Sequence, residues 1–365
     1  MKTTKLAAEF VKRLNIQLPI IQAPMAGGMT PPKLVAAVCD AGGLGSLPLG
    51  YLTREQAEAN IRATKALTSK PFSVNVFIPN HNARIDAKKT AFMNSFLKKF
   101  RDELKLPLEE KELSFEETSA EELVELTIQE KIPAMSFTFG ILNPSMIQRL
   151  KEENIFVIGT ATTVQEGLAL EKAGCDAVVA QGYEAGGHRG TFLSSHEAAK
   201  IGTMVLVPQL ASHLKIPVIA AGGIMNGSSV VAALDLGASA IQMGTAFLTC
   251  HESGASELYK QKVLNSTEES TVITSAFTGK PVRAIRNYFL EELEKIPTDQ
   301  IPDYPIQHVL TQPIRREAVR QQNGRIASFW AGQGTRLNRE MSVLTLMDEI
   351  KKEVEACAQR FELKK

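Results

Sequence analysis

Ala177-Val-Val-Ala-Gln-Gly-Tyr-Glu-Ala-Gly-Gly-His-Arg-Gly-Thr-Phe192 is the stretch in which this chain declares its fold. Ala177 to Gln181 form a short apolar, β-prone run, too hydrophobic to leave one face in water. Such runs are parallel strands covered on both sides. A helical pattern, Thr163–Ala173, precedes the run, and Gly174 supplies the helix stop between them. A loop with four glycines and one histidine, His188, follows it. βα proteins place their chemistry beyond the carboxyl ends of strands. Glycines let backbone approach a ligand closely, and imidazole exchanges protons near neutrality. Taken alone, the segment reads equally well as a solvent-facing turn or as a catalytic loop.

The same unit recurs. Eight apolar runs alternate with amphipathic helical patterns: Ile20–Met25, Leu44–Leu49, Phe72–Ile78, Ala134–Phe139, Ile155–Thr160, Ala177–Gln181, Pro217–Ala221 and Ala240–Gly244. Eight βα units in roughly 250 residues predict a TIM (β/α)8 barrel, an α/β fold, in preference to an open sheet. Gly42, Gly174 and Gly237 stand where helices stop, as C-caps with no ligand role. Two stretches break the alternation. About 81–131 is rich in charge (Lys98-Lys99, Glu109-Glu110-Lys111-Glu112, Glu116-Glu117) and reads as solvated helices inserted after the third strand. Residues 251–324 follow the eighth strand and include a proline-rich turn, Ile301-Pro302-Asp303-Tyr304-Pro305. The predicted organisation is therefore a barrel from 1–250 and 325–365 with an inserted lid or substrate-binding region at 251–324.

Composition excludes several classes. The 365 residues are 44% hydrophobic and 22% charged, ordinary for a soluble globular protein. A net charge of +1 without a long basic run gives no support to nucleic acid or anionic membrane as partners. No window reaches the roughly 20 apolar residues that span a bilayer, and Met1–Phe10 has no apolar signal core. Cys39, Cys175, Cys250 and Cys357 are far apart and form no Cys-x-x-Cys pair, which argues against a zinc site or disulfide framework and suits a reducing cytoplasm. His81, His196, His213 and His251 lack Asp, Glu or Cys companions at metal-ligand spacing, so no metal is expected.

In a barrel the strand ends converge on one mouth. Strand 1 ends Gln22-Ala-Pro-Met25-Ala-Gly-Gly28, strand 7 ends Ala221-Gly222-Gly223, and strand 8 ends Gln242-Met243-Gly244-Thr245. The glycines after strands 7 and 8 bare backbone N–H groups beside helix starts, the usual phosphate site of such barrels; plain tight turns are the alternative. Asn75 and Gln181 are amides inside apolar runs. Such groups need partners, and either a flavin's pyrimidine edge or a hydrogen bond to a neighbouring loop would supply them. There is no Gly-x-x-x-x-Gly-Lys-Ser/Thr motif and no Gly-x-Ser-x-Gly elbow.

Gln22-Ala-Pro-Met-Ala-Gly-Gly28, Asn75-Val-Phe77, Gln181 through Phe192, Ala220-Ala-Gly-Gly-Ile224, Gln242-Met-Gly-Thr245 and Trp330-Ala-Gly-Gln333 together resemble the nitronate monooxygenases, formerly 2-nitropropane dioxygenases, in order and along nearly the whole chain. The resemblance implies an FMN-dependent barrel that oxidises alkyl nitronates with dioxygen to a carbonyl compound and nitrite, without a metal. Propionate 3-nitronate is the substrate associated with class I members. The implied cofactor set is Met25, Asn75, Gln181, Gly186, Gly187, Gly222, Gly223, Gln242, Met243, Gly244 and Thr245. His188 matches the catalytic base. Protonated, it would hold an anionic nitronate; neutral, it would take the α-proton of a nitroalkane. Tyr304 and His308 are candidate substrate contacts in the lid. Some class I members carry a tyrosine and a lysine four and eight residues beyond the position of Tyr304, where this chain has His308 and Gln312. The partners expected are a small nitronate and dioxygen, in a monomer or homodimer. The nearest alternative is an FMN-dependent enoyl-ACP reductase using NAD(P)H, and a third is a phosphate-ligand-binding barrel without catalysis.

Overall fold

A computed structural model describes residues 2–78, 85–107 and 118–361. Eight parallel strands run around the molecule: β1 (Ile20–Gln22), β2 (Ser46–Pro48), β3 (Ser73–Phe77), β4 (Ala134–Thr138), β5 (Phe156–Ala161), β6 (Ala177–Gln181), β7 (Val218–Ala221) and β8 (Ala240–Met243). Their order is β1-β8-β7-β6-β5-β4-β3-β2. The ring is closed just before β2, where Gln22 N donates to Leu44 O at 3.0 Å and Leu44 N donates to Ile20 O at 2.9 Å. The chain is thus a TIM barrel, with every strand at the place its apolar run predicts. β1 stops short of Met25 because residues 23–30 turn across the mouth, with Gly27 and Gly28 at φ +80 and +95.

The two-residue period of the strands divides the core. Val178 and Ala180 of β6 and Val218 and Ala220 of β7 pack outward against helical residues such as Leu170, Leu206 and Leu210. Val179 and Ile219, one residue along, belong instead to an inner cluster with Ile21, Leu44 and Ile158. The N-terminal helix, Lys2–Leu14, supplies Phe10 and Leu14 to that cluster. Phe10 meets Phe156, at the amino end of β5, edge to face at 5.6 Å. One end of the barrel is therefore plugged, each buried aliphatic side chain contributing about 1.5–3 kcal/mol, and the other end is left for the site. Gly42, Gly174 and Gly237 end their helices at φ +89, +99 and +106, conformations only glycine adopts at little cost.

A second apolar cluster lies outside the barrel. It joins Phe289 and Leu293 of helix Tyr288–Leu293, Leu310 and Ile314 of helix Ile306–Arg320, and Met93, Leu97 and Phe100 of helix Ala87–Glu103. The reading of 81–131 as solvated helices is corrected on this point. Helix Ala87–Glu103 turns one face into the cluster, and helix Ala120–Gln129 buries Leu123, Val124 and Leu126 against the barrel. His81, Glu109–Glu112, Glu116 and Glu117 lie outside the described residues. A three-stranded antiparallel sheet crosses the mouth, formed by Thr271–Thr274, Val282–Ile285 and, at its edge, Gly187–His188. The glycine-rich loop after β6 is thus bound into the structure above it.

The closing seam depends on glycine. A Cβ at Gly43 would lie 2.8 Å from Ile20 O, the carbonyl that accepts the closing hydrogen bond. Gly43→Ala is expected to destabilise the fold by about 1–3 kcal/mol in urea unfolding. Gly324→Ala, whose Cβ would only touch Leu258 at 3.4 Å, should change stability by about 0.5 kcal/mol or less.

Candidate active site

The carboxyl ends of the strands open into a cavity of about 680 Å³, roofed by the three-stranded sheet and helix Ile306–Arg320. It gathers Met25 from the turn after β1, Asn75 from β3, Gln181 from β6, Gly186, Gly187 and His188 from the next loop, Gly222 and Gly223 after β7, and Gln242, Met243, Gly244 and Thr245 at the end of β8. His308 also lines it. Tyr304 does not line it but stands behind, its ring 5.9 Å from that of His188 and its hydroxyl donating to Tyr51 Oη at 3.2 Å.

Three kinds of ligand group face this space. Gly222 and Gly223, at φ +115 and +72, and Gly244 donate no backbone hydrogen bond to any described residue. Backbone N–H groups bared at adjacent strand ends suit an anion such as phosphate. The helix after β8, Thr245–Leu248, is a single turn. The helix dipole expected there is correspondingly small, and the N–H groups themselves are what the site offers. Thr245 Oγ1 accepts from Gly332 N at 2.9 Å, which leaves its proton to give. The Gln242 carboxamide makes no hydrogen bond to a described residue and remains available. Asn75 Nδ2 donates to Ser136 Oγ at 2.8 Å.

Gln181 is used differently. Its Nε2 donates to His188 O at 2.9 Å and its Oε1 accepts from Gly190 N at 2.8 Å, so one carboxamide spans the catalytic-loop candidate. Arg189, fully buried, donates to Gln181 O, Gly182 O and Ala199 O. The Glu184 carboxylate accepts from Thr203 N and Oγ1, which makes it a support of the loop and not a partner of His188. Glu166, wholly buried, accepts from Thr162 N and Oγ1 and from Phe192 N and Leu193 N just beyond the loop. A Cβ at Gly186 would lie 2.4 Å from Gly332 N, so only glycine lets the segment after Trp330 pass this closely.

His188 stands among Phe139, Tyr304 and Trp330, with ring centroids 5.7, 5.9 and 6.2 Å away. Its Nε2 is 3.0 Å from Thr278 Oγ1. The Thr278 hydroxyl donates to Lys280 O at 3.0 Å, so Nε2 must carry the proton and donate, and Nδ1 is the unprotonated nitrogen. Burial, helped by the charges of Lys280 and Arg315, pulls the imidazole from 6.5 down to about 3. His188 is therefore neutral at neutral pH, and the geometry supports a base in place of an imidazolium. His308 is pulled to about 2 by burial and by Arg315.

Sequence reading missed Tyr51, Phe139, Arg315 and Ser328, which all line the cavity. For Arg315 a signal existed. His308, Thr311, Gln312 and Arg315 recur at helical spacing and make one polar face of helix Ile306–Arg320. Tyr51 and Phe139 sit at φ +67 and +81 just past β2 and β4, conformations with no sequence signature. Among the described residues, no group of three His, Cys, Asp or Glu side chains could hold a metal ion, and no helix is long and apolar enough to cross a membrane.

Comparison with known proteins places the chain. The nitronate monooxygenase family model matches residues 9–353. A probable nitronate monooxygenase of Staphylococcus saprophyticus is 45% identical over 352 residues, covering 96% of this chain and 98% of that one. Among solved structures, a nitroalkane oxidase of Streptomyces ansochromogenes superposes with a TM-score of 0.89 at 36% identity, covering 98% of this chain and 100% of that one. FabK of Thermotoga maritima superposes with a TM-score of 0.75 at 30% identity, covering 96% and 97%.

The two imidazoles, His188 half-buried and His308 buried, have a consequence for stability. In the unfolded chain both protonate near 6.5, and in the fold neither does until about 3 or 2. Below pH 6.5 the unfolded state binds protons that the native state refuses, so stability falls as pH falls, by up to about 1.4 kcal/mol per pH unit for each group. His308→Asn is expected to flatten the pH dependence of urea unfolding between pH 6 and 4 by up to about one proton. Parallel curves for variant and wild type would contradict the burial assigned to His308.

Proposed function

The chain belongs to the nitronate monooxygenase family, an oxidoreductase family, and from that premise we propose that it oxidises alkyl nitronates with dioxygen to a carbonyl compound and nitrite, using FMN. The observation that carries the reading is one neutral, lid-anchored imidazole beside three bared N–H groups and two strand amides in a single cavity. That donor set fits FMN. Gly222, Gly223, Gly244 and Thr245 would hold its phosphate, and Asn75, Gln242 and the free valences of Gln181 would meet its ring edge, with Met25 packed alongside. FMN, when bound, supplies the electron acceptor that passes reducing equivalents from substrate to dioxygen.

The remaining work falls to side chains of this protein. His188 Nδ1 takes the α-proton of a nitroalkane, while Nε2–H, held on Thr278, fixes the tautomer and receives no proton. For a substrate already in the nitronate form no proton transfer is needed, and the neutral Nδ1 offers the anion no donor. Phe139, Tyr304 and Trp330 wall the imidazole from water, and the closeness of Lys280 and Arg315 favours an anion beside it. Gln181 sets the position of His188 by holding its carbonyl and the N–H of Gly190 two residues on. Clearance of a toxic nitronate would follow from this activity, and the free cysteines Cys39, Cys175, Cys250 and Cys357 suit a reducing cytoplasm.

His188→Asn should retain bound FMN, read from the flavin absorbance bands, and lose about 100-fold or more in turnover of neutral nitroalkanes. Turnover of the variant equal to wild type would remove His188 from its role as base. Anaerobic mixing separates the reading from an NAD(P)H-dependent enoyl-ACP reductase. Propionate 3-nitronate is expected to bleach the flavin while NADPH leaves it oxidised, and the reverse result would favour the reductase.

A further inference from the structure

Among the described residues, Arg315 is the one buried cation lining the cavity that has no countercharge. The residue is only 7% exposed, yet it lines the cavity. Among the described residues no carboxylate forms an ion pair with it. Its partners are all neutral, and most are long: Nε donates to Thr311 Oγ1 at 3.1 Å, Nη1 to Ser328 Oγ at 3.4 Å, and Nη2 to His308 Nδ1 at 3.3 Å and to His308 O at 3.4 Å. A carboxylate would bind this guanidinium at 2.7–2.9 Å, often through two parallel bonds. Burial draws Arg315 down to about 10, which leaves it charged at neutral pH.

Other buried arginines of the protein differ. Arg189 spends its guanidinium on three backbone carbonyls and holds a loop. Arg283 donates to Tyr183 O and Thr271 Oγ1. Neither lines the cavity. Arg315 faces it, stacked 5.7 Å from the Trp330 ring.

His308 adds a second observation. An arginine can only donate, so the bond from Arg315 makes His308 Nδ1 the acceptor and puts the proton on Nε2. That Nε2–H is buried and has no hydrogen-bond partner, and its residue is 8% exposed and lines the same cavity. An orphan donor beside an uncompensated cation is costly unless something completes it. Among the described residues, the side chains that line the cavity include the exposed Arg316 and no Asp or Glu. No described group supplies the completing anion, which leaves that part to a ligand.

Resting on the nitronate reading above, we propose that Arg315 and His308 form an anion-recognition subsite in the lid wall, which selects substrates carrying a carboxylate remote from the nitronate carbon. The bared glycine N–H groups lie at the strand ends, whereas Arg315 and His308 belong to the lid helix. A phosphate held by the first set would leave the second free for the substrate.

The test compares two nitronates with one reactive group, propionate 3-nitronate and ethyl nitronate, in the flavin-loaded enzyme and in Arg315→Met and Arg315→Lys. Removing a charge-assisted pair should lower kcat/KM for the carboxylated substrate at least about tenfold more than for ethyl nitronate, chiefly through KM. Arg315→Lys should recover part of that selectivity. Propionate alone, added to the wild type, should change the fluorescence of Trp330, the only tryptophan, and should not do so in Arg315→Met. Equal losses for both nitronates with flavin retained would overturn the proposal, as would loss of flavin from Arg315→Met, which would make Arg315 a phosphate ligand. A wild type that oxidises neither nitronate but binds propionate would sink the functional reading and leave the subsite standing. Absence of propionate binding would sink the subsite alone.

Discussion

The position of His188 rests on a backbone held from two sides. From the barrel, Gln181 donates to its carbonyl and accepts from Gly190 N. From the lid, strand Val282–Ile285 pairs with Gly187–His188, and Pro281 O accepts from Arg189 N. A glycine-rich loop left to itself would sample many conformations, and fixing each residue costs about 1–2 kcal/mol. Here the cost is offset by ladder bonds and the half-buried Gln181 carboxamide, so the imidazole is presented in one place. Remove either side and the other loses its register.

This arrangement makes the segment that crosses the mouth part of the candidate site. Thr278, Lys280 and Val282 come from the same crossing segment, and they set respectively the tautomer of His188, its electrostatic surroundings and its backbone. The apolar cluster of Phe289, Leu310 and Phe100 anchors that segment from outside. The surroundings of His188 and the packing of this crossing segment are therefore coupled.

Electrostatics follow the same logic. Among the described residues, the cavity wall collects His188, His308, Arg315 and Arg316 and no acid. Burial keeps both imidazoles neutral, while the guanidinium of Arg315 stays charged. A wall built this way disfavours cations and favours anions. The acids near the loop, Glu166 and Glu184, are occupied with backbone N–H groups and do not line the cavity.

Local periodicity is what the sequence alone determined. Apolar runs of five or so residues, helix stops at Gly42, Gly174 and Gly237, and glycines after β7 and β8 all act within a few residues of themselves, and the barrel follows from repeating them. Gln181 shows the boundary: its amide was visible inside an apolar run, but whether it meets a cofactor or its own loop was not. Asn75 likewise finds Ser136, 61 residues away. Tertiary structure decided the rest: the pairing of His188 with the lid, its contact with Thr278 across 90 residues of chain, and the isolation of Arg315. Hydrogen-bond partners and desolvation arise between distant segments, so no spacing along the chain records them.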